Sequence, residues 1–251
     1  MYEFIQFNMK RFLLVLAILV LLGYLVLSTL YLKGNTTDKV CENFKVLVKD
    51  SLDKQFIQTA DIEQLLKRVK LHPIGKPPSD INTMEMEEAI STNKLVKSVE
   101  VYVTQSGSII ASIHQRNPVL RIISHGDGSY YIDSERQQMP TSQYYTVYLP
   151  LATGYITEEF AQNELYDFVM YISNSSQWDP WIEQIVVDQH QKIQIVPRAG
   201  DFKVTLGSLN DYEEKLDKLK LFIDKGLNVV GWNRYLEVNL EYSNQVVCTL
   251  K

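Results

Sequence analysis

The chain starts with an apolar run that shows no alternation, then settles into short alternating stretches separated by helical spacings. Phe12 to Leu32 holds about 21 residues without a charge. As a helix that is roughly 31 Å, the depth of a hydrocarbon core. Cys41 to Val48 reads as a strand. Ile62, Leu65, Leu66 and Val69 recur at helical spacing behind Thr59, a suitable cap. His72-Pro73 and Lys76-Pro77-Pro78 break that helix. Asn82, with Glu85 three residues on, resembles a capping box and opens a second helix through Ile90. Val99, Val101 and Val103 then alternate with Glu100, Tyr102 and Thr104. Beyond the Ser106-Gly107 turn, Ile109, Ala111 and Ile113 alternate again, so the two strands return antiparallel. The order is β-α-α-β-β, which places two helices on one face of a three-stranded sheet and leaves the other face solvated or docked.

Asn117-Pro118 punctuates the chain, because the residue before proline is held extended. Val119 to Ile123 and Tyr130 to Asp133 read as strands around the turn His125-Gly126-Asp127-Gly128. Tyr144 to Leu151 is an extended apolar stretch. Thr157 caps a helix with Phe160, Leu165, Phe168, Val169 and Ile172 inward, and Asn174-Ser175-Ser176 ends it. Ile182 to Val187 and Ile193 to Val196 pair as strands, followed by Phe202 to Leu206. The strongest helical pattern is Asp211 to Lys225, with Tyr212, Leu216, Leu219, Phe222 and Ile223 on one face. It carries a Glu214–Lys218 pair at i,i+4, and Gly226 stops it. In the close, Leu236, Val238, Leu240 and Tyr242 alternate with polar residues before a final strand, Gln245 to Leu250. The fold class is α+β: one transmembrane helix, a β-α-α-β-β domain, and a mixed α/β domain with an antiparallel-rich sheet.

The formal charge sharpens this picture. Of a net −5, residues 1–11 carry +1 through Glu3, Lys10 and Arg11, which leaves −6 for residues 33–251. An acidic body argues against binding nucleic acid or lying flat on anionic lipid. Lys10 and Arg11 flank the inner end of the apolar run, against Lys33 outside, so the positive-inside rule puts the N-terminus in the cytoplasm. The run is longer than a signal-peptide core and lacks a small-x-small cleavage site. No cysteine follows it directly, as a lipoprotein signal would require. The expected division is a cytoplasmic tail at 1–11, a membrane helix at 12–32, a tether at 33–40, and domains at 41–116 and 117–251. Cys41 and Cys248, 207 positions apart, read as two unpaired thiols.

Candidate chemistry is sparse. His72, His114, His125 and His190 stand at no metal-ligand spacing, and the cysteines are isolated, so neither a metal nor a cofactor is expected. Gly126-Asp127-Gly128 has no helix after it and is a hairpin turn, not a phosphate cradle. Glu158-Glu159 and Glu213-Glu214 are the carboxylate pairs a glycan hydrolase would need, but both fall in first helical turns, where they favour the helix dipole. Trp178 and Trp181 could stack on sugar, and more often such residues cap a small core. Asn244 to Leu250 is a short apolar strand beside the C-terminus. Such a strand tends to lie at a sheet edge, where its unpaired groups either accept another chain or are covered by the protein itself.

One constellation resembles a known family. Gln115-Arg116-x-Pro118-Val119-x-Arg121, then Tyr131-Ile132-Asp133, then Met139-Pro140, is similar to the inter-domain junction of FtsQ/DivIB-type cell-division proteins, where a POTRA domain passes into a β domain. The resemblance implies a single-pass protein of the bacterial inner membrane with periplasmic domains, placed at the division septum. It implies a non-catalytic scaffold that binds FtsB/FtsL-type partners through the C-terminal part of the β domain. Tyr242 matches the tyrosine of the family's YDSGAAV-like run, and the match departs after it, at Ser243-Asn244-Gln245. The partner-binding residues so implied are Tyr242, Ser243, Asn244, Gln245, Val246 and Val247. The junction residues are Gln115, Arg116, Pro118 and Arg121. Two other readings stay open: a POTRA-type chaperone of envelope protein transport, for which no barrel-sized set of strands exists, and a membrane-anchored peptidoglycan glycosidase.

Overall fold

The computed structural model describes residues 14–29, 40–49 and 55–251. Residues 14–29 form helix α1, with nearly every side chain exposed, including Leu14, Ile18, Leu22 and Leu25. Its sixteen residues span about 24 Å. Among the described residues no helix is long and apolar enough to cross a membrane. The expected tail, the flanking charges Lys10, Arg11 and Lys33, the ends of the apolar run and all of the tether but Val40 lie outside the described residues.

The first domain contains β1 (Phe44–Val48), α2 (Thr59–Arg68), α3 (Thr83–Ser91), β2 (Val96–Val103) and β3 (Ile109–Gln115). The β-α-α-β-β order is as the periodicities predict. The sheet runs β1-β3-β2, with β3 parallel to β1 and antiparallel to β2. Ile62 and Leu66 of α2 and Met86 and Ile90 of α3 pack on Val46, Val101, Ile109, Ala111 and Ile113. Asn82 caps α3: its Oδ1 accepts the Glu85 N–H, and its amide donates to the Glu85 carboxylate. Thr59 does not cap α2. It is the first helical residue, and Gln58 at the cap makes no side-chain bond there. Val69 is not on the inner face either. The helix closes at Arg68, and Val69 turns to solvent. Val103, the last residue of β2, pairs with Ile109 but is exposed as well.

The second domain is built on a nine-stranded sheet. Its strands are β4 (Pro118–Ser124), β5 (Gly128–Asp133), β6 (Gln138–Pro140), β7 (Leu151–Gly154), β8 (Ile182–Val187), β9 (Ile193–Pro197), β10 (Lys203–Gly207), β11 (Tyr235–Asn239) and β12 (Val247–Leu250). Their order is β12-β11-β10-β9-β8-β7-β4-β5-β6. Five of the eight pairings are antiparallel. The parallel ones need long crossovers. Helices α4 (Glu158–Gln162) and α5 (Glu164–Ser173) supply that between β7 and β8, and α6 (Tyr212–Phe222) between β10 and β11. Thr157 caps α4 as expected, its Oγ1 accepting the Phe160 N–H. Phe168, Val169, Ile172, Leu216 and Leu219 bury against Leu120, Ile122, Ile185, Ile195 and Val204. Trp178 is buried in the same core and meets Trp181 edge-on, so it offers no stacking face for a sugar.

Two local expectations change, and a third is made specific. Gly226 does not stop α6. The helix widens into a π-turn, Ile223–Leu227, which lets both Ile223 and Leu227 face the core. The stop is Gly231, whose φ of +96° suits glycine and whose N–H returns to the Leu227 carbonyl. The extended apolar stretch Tyr144 to Leu151 lies almost wholly outside the sheet. Only Leu151 joins β7, and the residues before it form a strap across the domain junction. Leu236 and Tyr242 do not share the buried face of Val238 and Leu240. A register shift between Tyr235 and Glu237 turns Leu236 outward, and Tyr242 lies in a bend past the end of β11.

Candidate functional site: a free sheet edge and an inter-domain corner

The corner is built by alternation along β5. Tyr130 and Ile132 face the second domain's own core, whereas Tyr131 packs, with Met139 of β6, into the core of the first domain. Tyr131 and Met139 are fully buried there. The strap continues the pattern: Tyr145, Val147 and Leu149, every second residue, pack on the same core. The Phe56 ring meets Tyr145 and Tyr131 edge-on at 5.1 and 6.3 Å. Ser142 Oγ donates to the Phe56 carbonyl at 2.8 Å, and the Tyr144 hydroxyl donates to Asp61 at 2.9 Å.

Asp133 fastens the corner. Its side chain is 2% exposed and accepts three hydrogen bonds: from the Arg116 guanidinium at 2.7 Å, and from the Glu135 and Gln137 N–H groups at 2.8 Å each. Gln115 is buried and accepts the Ile57 N–H at 2.9 Å. Pro118 is buried opposite Asp133 in the β4–β5 ladder. Arg121 lies half-buried on β4, and its backbone N–H donates to the Pro150 carbonyl of the strap. The four junction residues thus sit at one corner: Arg116 bonds across it to Asp133, and the Gln115–Ile57 bond braces the first-domain side.

The other feature is at the far end of the sheet. β12 pairs only with β11, antiparallel, from Asn239↔Val247 to Tyr235↔Leu250, and among the described residues nothing pairs with its outer side. The Lys251 N–H donates inward, to the Arg234 carbonyl. Strand groups alternate in direction, so Thr249 and Val247 also point inward. The N–H and C=O of Cys248 and Leu250 then point out. Val247 and Leu250 are 41% and 55% exposed, and β12 carries no charge. The opposite end of the sheet, β6, is three residues long and contains Pro140, which blunts it. Burial raises the Cys248 thiol above its usual range, which makes it a poor nucleophile. Cys41 and Cys248 are both free thiols.

The implied partner residues fall beside this edge more than on it. Tyr242 sits in a bend, Ser243 and Asn244 in a turn, and Gln245 and Val246 outside the ladder; of the six only Val247 is in β12. The reason is local. The Asn239 carboxamide accepts the Glu241 N–H at 2.8 Å, and Lys218 takes the carbonyls of Leu240, Tyr242 and Ser243. Lys218 therefore serves this turn and not Glu214, the helix-surface partner its spacing suggests. Cys248 and Leu250 lie within the edge strand that the sequence marks at Asn244 to Leu250, though outside the six implied partner residues; the hold of Lys218 on this turn carries no sequence signal.

The two glutamate pairs lie on separate helices, α4 and α6. Glu158, Glu159, Glu213 and Glu214 are exposed in first helical turns. Glu158 borders an open cleft of about 610 Å³ with Asp127 and Tyr155, and nothing there withdraws it from water, as a catalytic acid requires. Among the described residues no group of three or more His, Cys, Asp and Glu could hold a metal.

Two family models match the chain. Residues 39–114 match a POTRA-like domain, and residues 117–249 match a domain described as FtsQ/DivIB, C-terminal related. No curated protein matches the chain. The second model covers more than half of the 251 residues, beginning at the Pro118 corner and ending on the free edge strand, and the chain belongs to the FtsQ/DivIB family of cell-division proteins.

Proposed function

We propose that this chain is a non-catalytic scaffold of the division machinery, held in the cytoplasmic membrane by its N-terminal helix, with both domains on the outer side. It captures an FtsB/FtsL-type partner by adding that partner's strand to β12. The observation that carries this reading is the outer side of β12: an uncharged, partly apolar edge with the backbone groups of Cys248 and Leu250 turned outward. Such an edge gains affinity from main-chain hydrogen bonds and specificity from alternate side chains. The anchor is supported by α1, which is apolar and exposed on every face, a surface that suits lipid and not water. A membrane-held body with several modest contacts raises the effective concentration of its partners, so no contact need be strong alone. The Arg116–Asp133 corner and the strap hold the POTRA domain and the edge as parts of one body, which suits a scaffold.

Amide hydrogen exchange on the full chain in detergent, with and without a soluble FtsB–FtsL-type complex, tests the docking mode. The amides of Cys248 and Leu250 should slow by at least about tenfold on binding, because strand addition closes outward N–H groups. Those of Val247 and Thr249, already paired to β11, should change little. Binding that leaves all four amides unchanged would place the partner elsewhere.

A further inference from the structure

Between β11 and β12 the backbone must leave the ladder and turn back. The carbonyls of Leu240, Tyr242 and Ser243 lie on that turn, which is exposed past Leu240, so what holds its shape is a shared donor and not burial. All three point at one group. The Lys218 ammonium on α6 donates to Leu240 O at 3.2 Å, Tyr242 O at 2.6 Å and Ser243 O at 3.3 Å. An ammonium has three N–H donors, so this clasp uses every one and leaves none for a partner. The turn is held from its other side as well. The Lys192 ammonium donates to the Glu241 carboxylate at 2.8 Å, and that bond holds Glu241 below its usual carboxylate range. Gly207, at φ +75°, makes the room: a Cβ there would lie 2.5 Å from Glu241 Cγ.

We infer that Lys218 is the positioning residue of the docking edge: by clasping three turn carbonyls it fixes where β12 begins and so presents the outward groups of Cys248 and Leu250 in a register that a partner strand can read. The inference rests on the strand-addition reading and deepens it. β12 is only four residues long, so its few ladder bonds do not fix its place by themselves. The turn must do so. A site that is correctly formed for only a fraction of the time binds more weakly by that same fraction. Pre-ordering the turn removes that loss without adding any contact.

The test titrates the full chain, in detergent, with the soluble FtsB–FtsL-type complex. Lys218→Met keeps the aliphatic stem and deletes the clasp. It should weaken binding about tenfold or more, mainly through slower association, and speed exchange at the Val247 and Thr249 amides, whose bonds to β11 the turn secures, while the melting temperature stays within about 2 °C of wild type. Lys218→Arg, which still donates, should restore most of the affinity; a merely structural role would move stability instead. If Lys218→Met does not fold, Lys218→Gln takes its place with the same thresholds. Wild-type affinity in the neutral variant, alongside lost binding in Leu250→Pro, would overturn the clasp and leave the edge standing. Wild-type affinity in both would remove the edge reading itself, and the clasp with it.

Discussion

Alanine at Gly154 should lower stability by about 3–5 kcal/mol, from strained backbone and overpacking together. Gly154 closes β7, a central strand between β4 and β8, and its φ is +118°. A Cβ there would stand 2.0 Å from the Val187 carbonyl oxygen, which is backbone and already accepts the Tyr155 N–H at 3.0 Å. No side-chain rotation relieves that contact. The strands themselves must part, and with them the seam between β4, β7 and β8 that supports the rest of the sheet. In thermal unfolding of the full chain the loss corresponds to a fall of about 6–20 °C. A fall of less than about 2 °C would show that the seam yields more easily than its geometry requires.

Asp133→Ala should cost about 3–5 kcal/mol, as breaking a buried ion pair from one side does. Three donors lose their acceptor at once, and two of them are backbone N–H groups in the tight turn after β5. Asp133→Asn keeps an acceptor for the turn and loses the charge facing Arg116, so it should cost less. Urea titrations of Arg116→Ala, Asp133→Ala and the double variant measure the pair directly. A coupling of about 1–3 kcal/mol is expected for residues in one network. Strict additivity would mean that the corner is held by Tyr131, Met139 and the strap alone.

Local patterns were the legible part of this fold. Val99 to Val103 and Ile109 to Ile113 read as a hairpin because period two records the face that Val101, Ile109, Ala111 and Ile113 bury. Asn82 read as a cap because the Glu85 N–H it satisfies is three residues away. What stayed hidden depends on contacts distant in sequence. Tyr131 and Tyr130 are adjacent and both apolar, and only the tertiary structure sends one to each domain. The spacing that offers Lys218 to Glu214 is true of any helix, but the carbonyls of a turn more than twenty residues away compete better. Gly226 reads as a stop because glycine so often is one, yet burying Ile223 and Leu227 together carries the helix on to Gly231. The free edge was legible as an apolar strand, Asn244 to Leu250. Its register was not, since Tyr242 to Val246 leave the ladder for reasons that lie in Asn239 and Lys218.

Proline at Leu250 tests the strand-addition mode most directly. The Leu250 side chain is 55% exposed and its N–H turns outward, so proline there removes a partner-facing donor and leaves the β11 pairing whole. Isothermal titration of the full-chain variant, in detergent, against the FtsB–FtsL-type complex should show affinity weakened at least about a hundredfold, the loss of roughly 3 kcal/mol expected when a central contact is truncated. Its melting temperature should match wild type. A folded Leu250→Pro variant that binds the complex with unchanged affinity would contradict docking on β12.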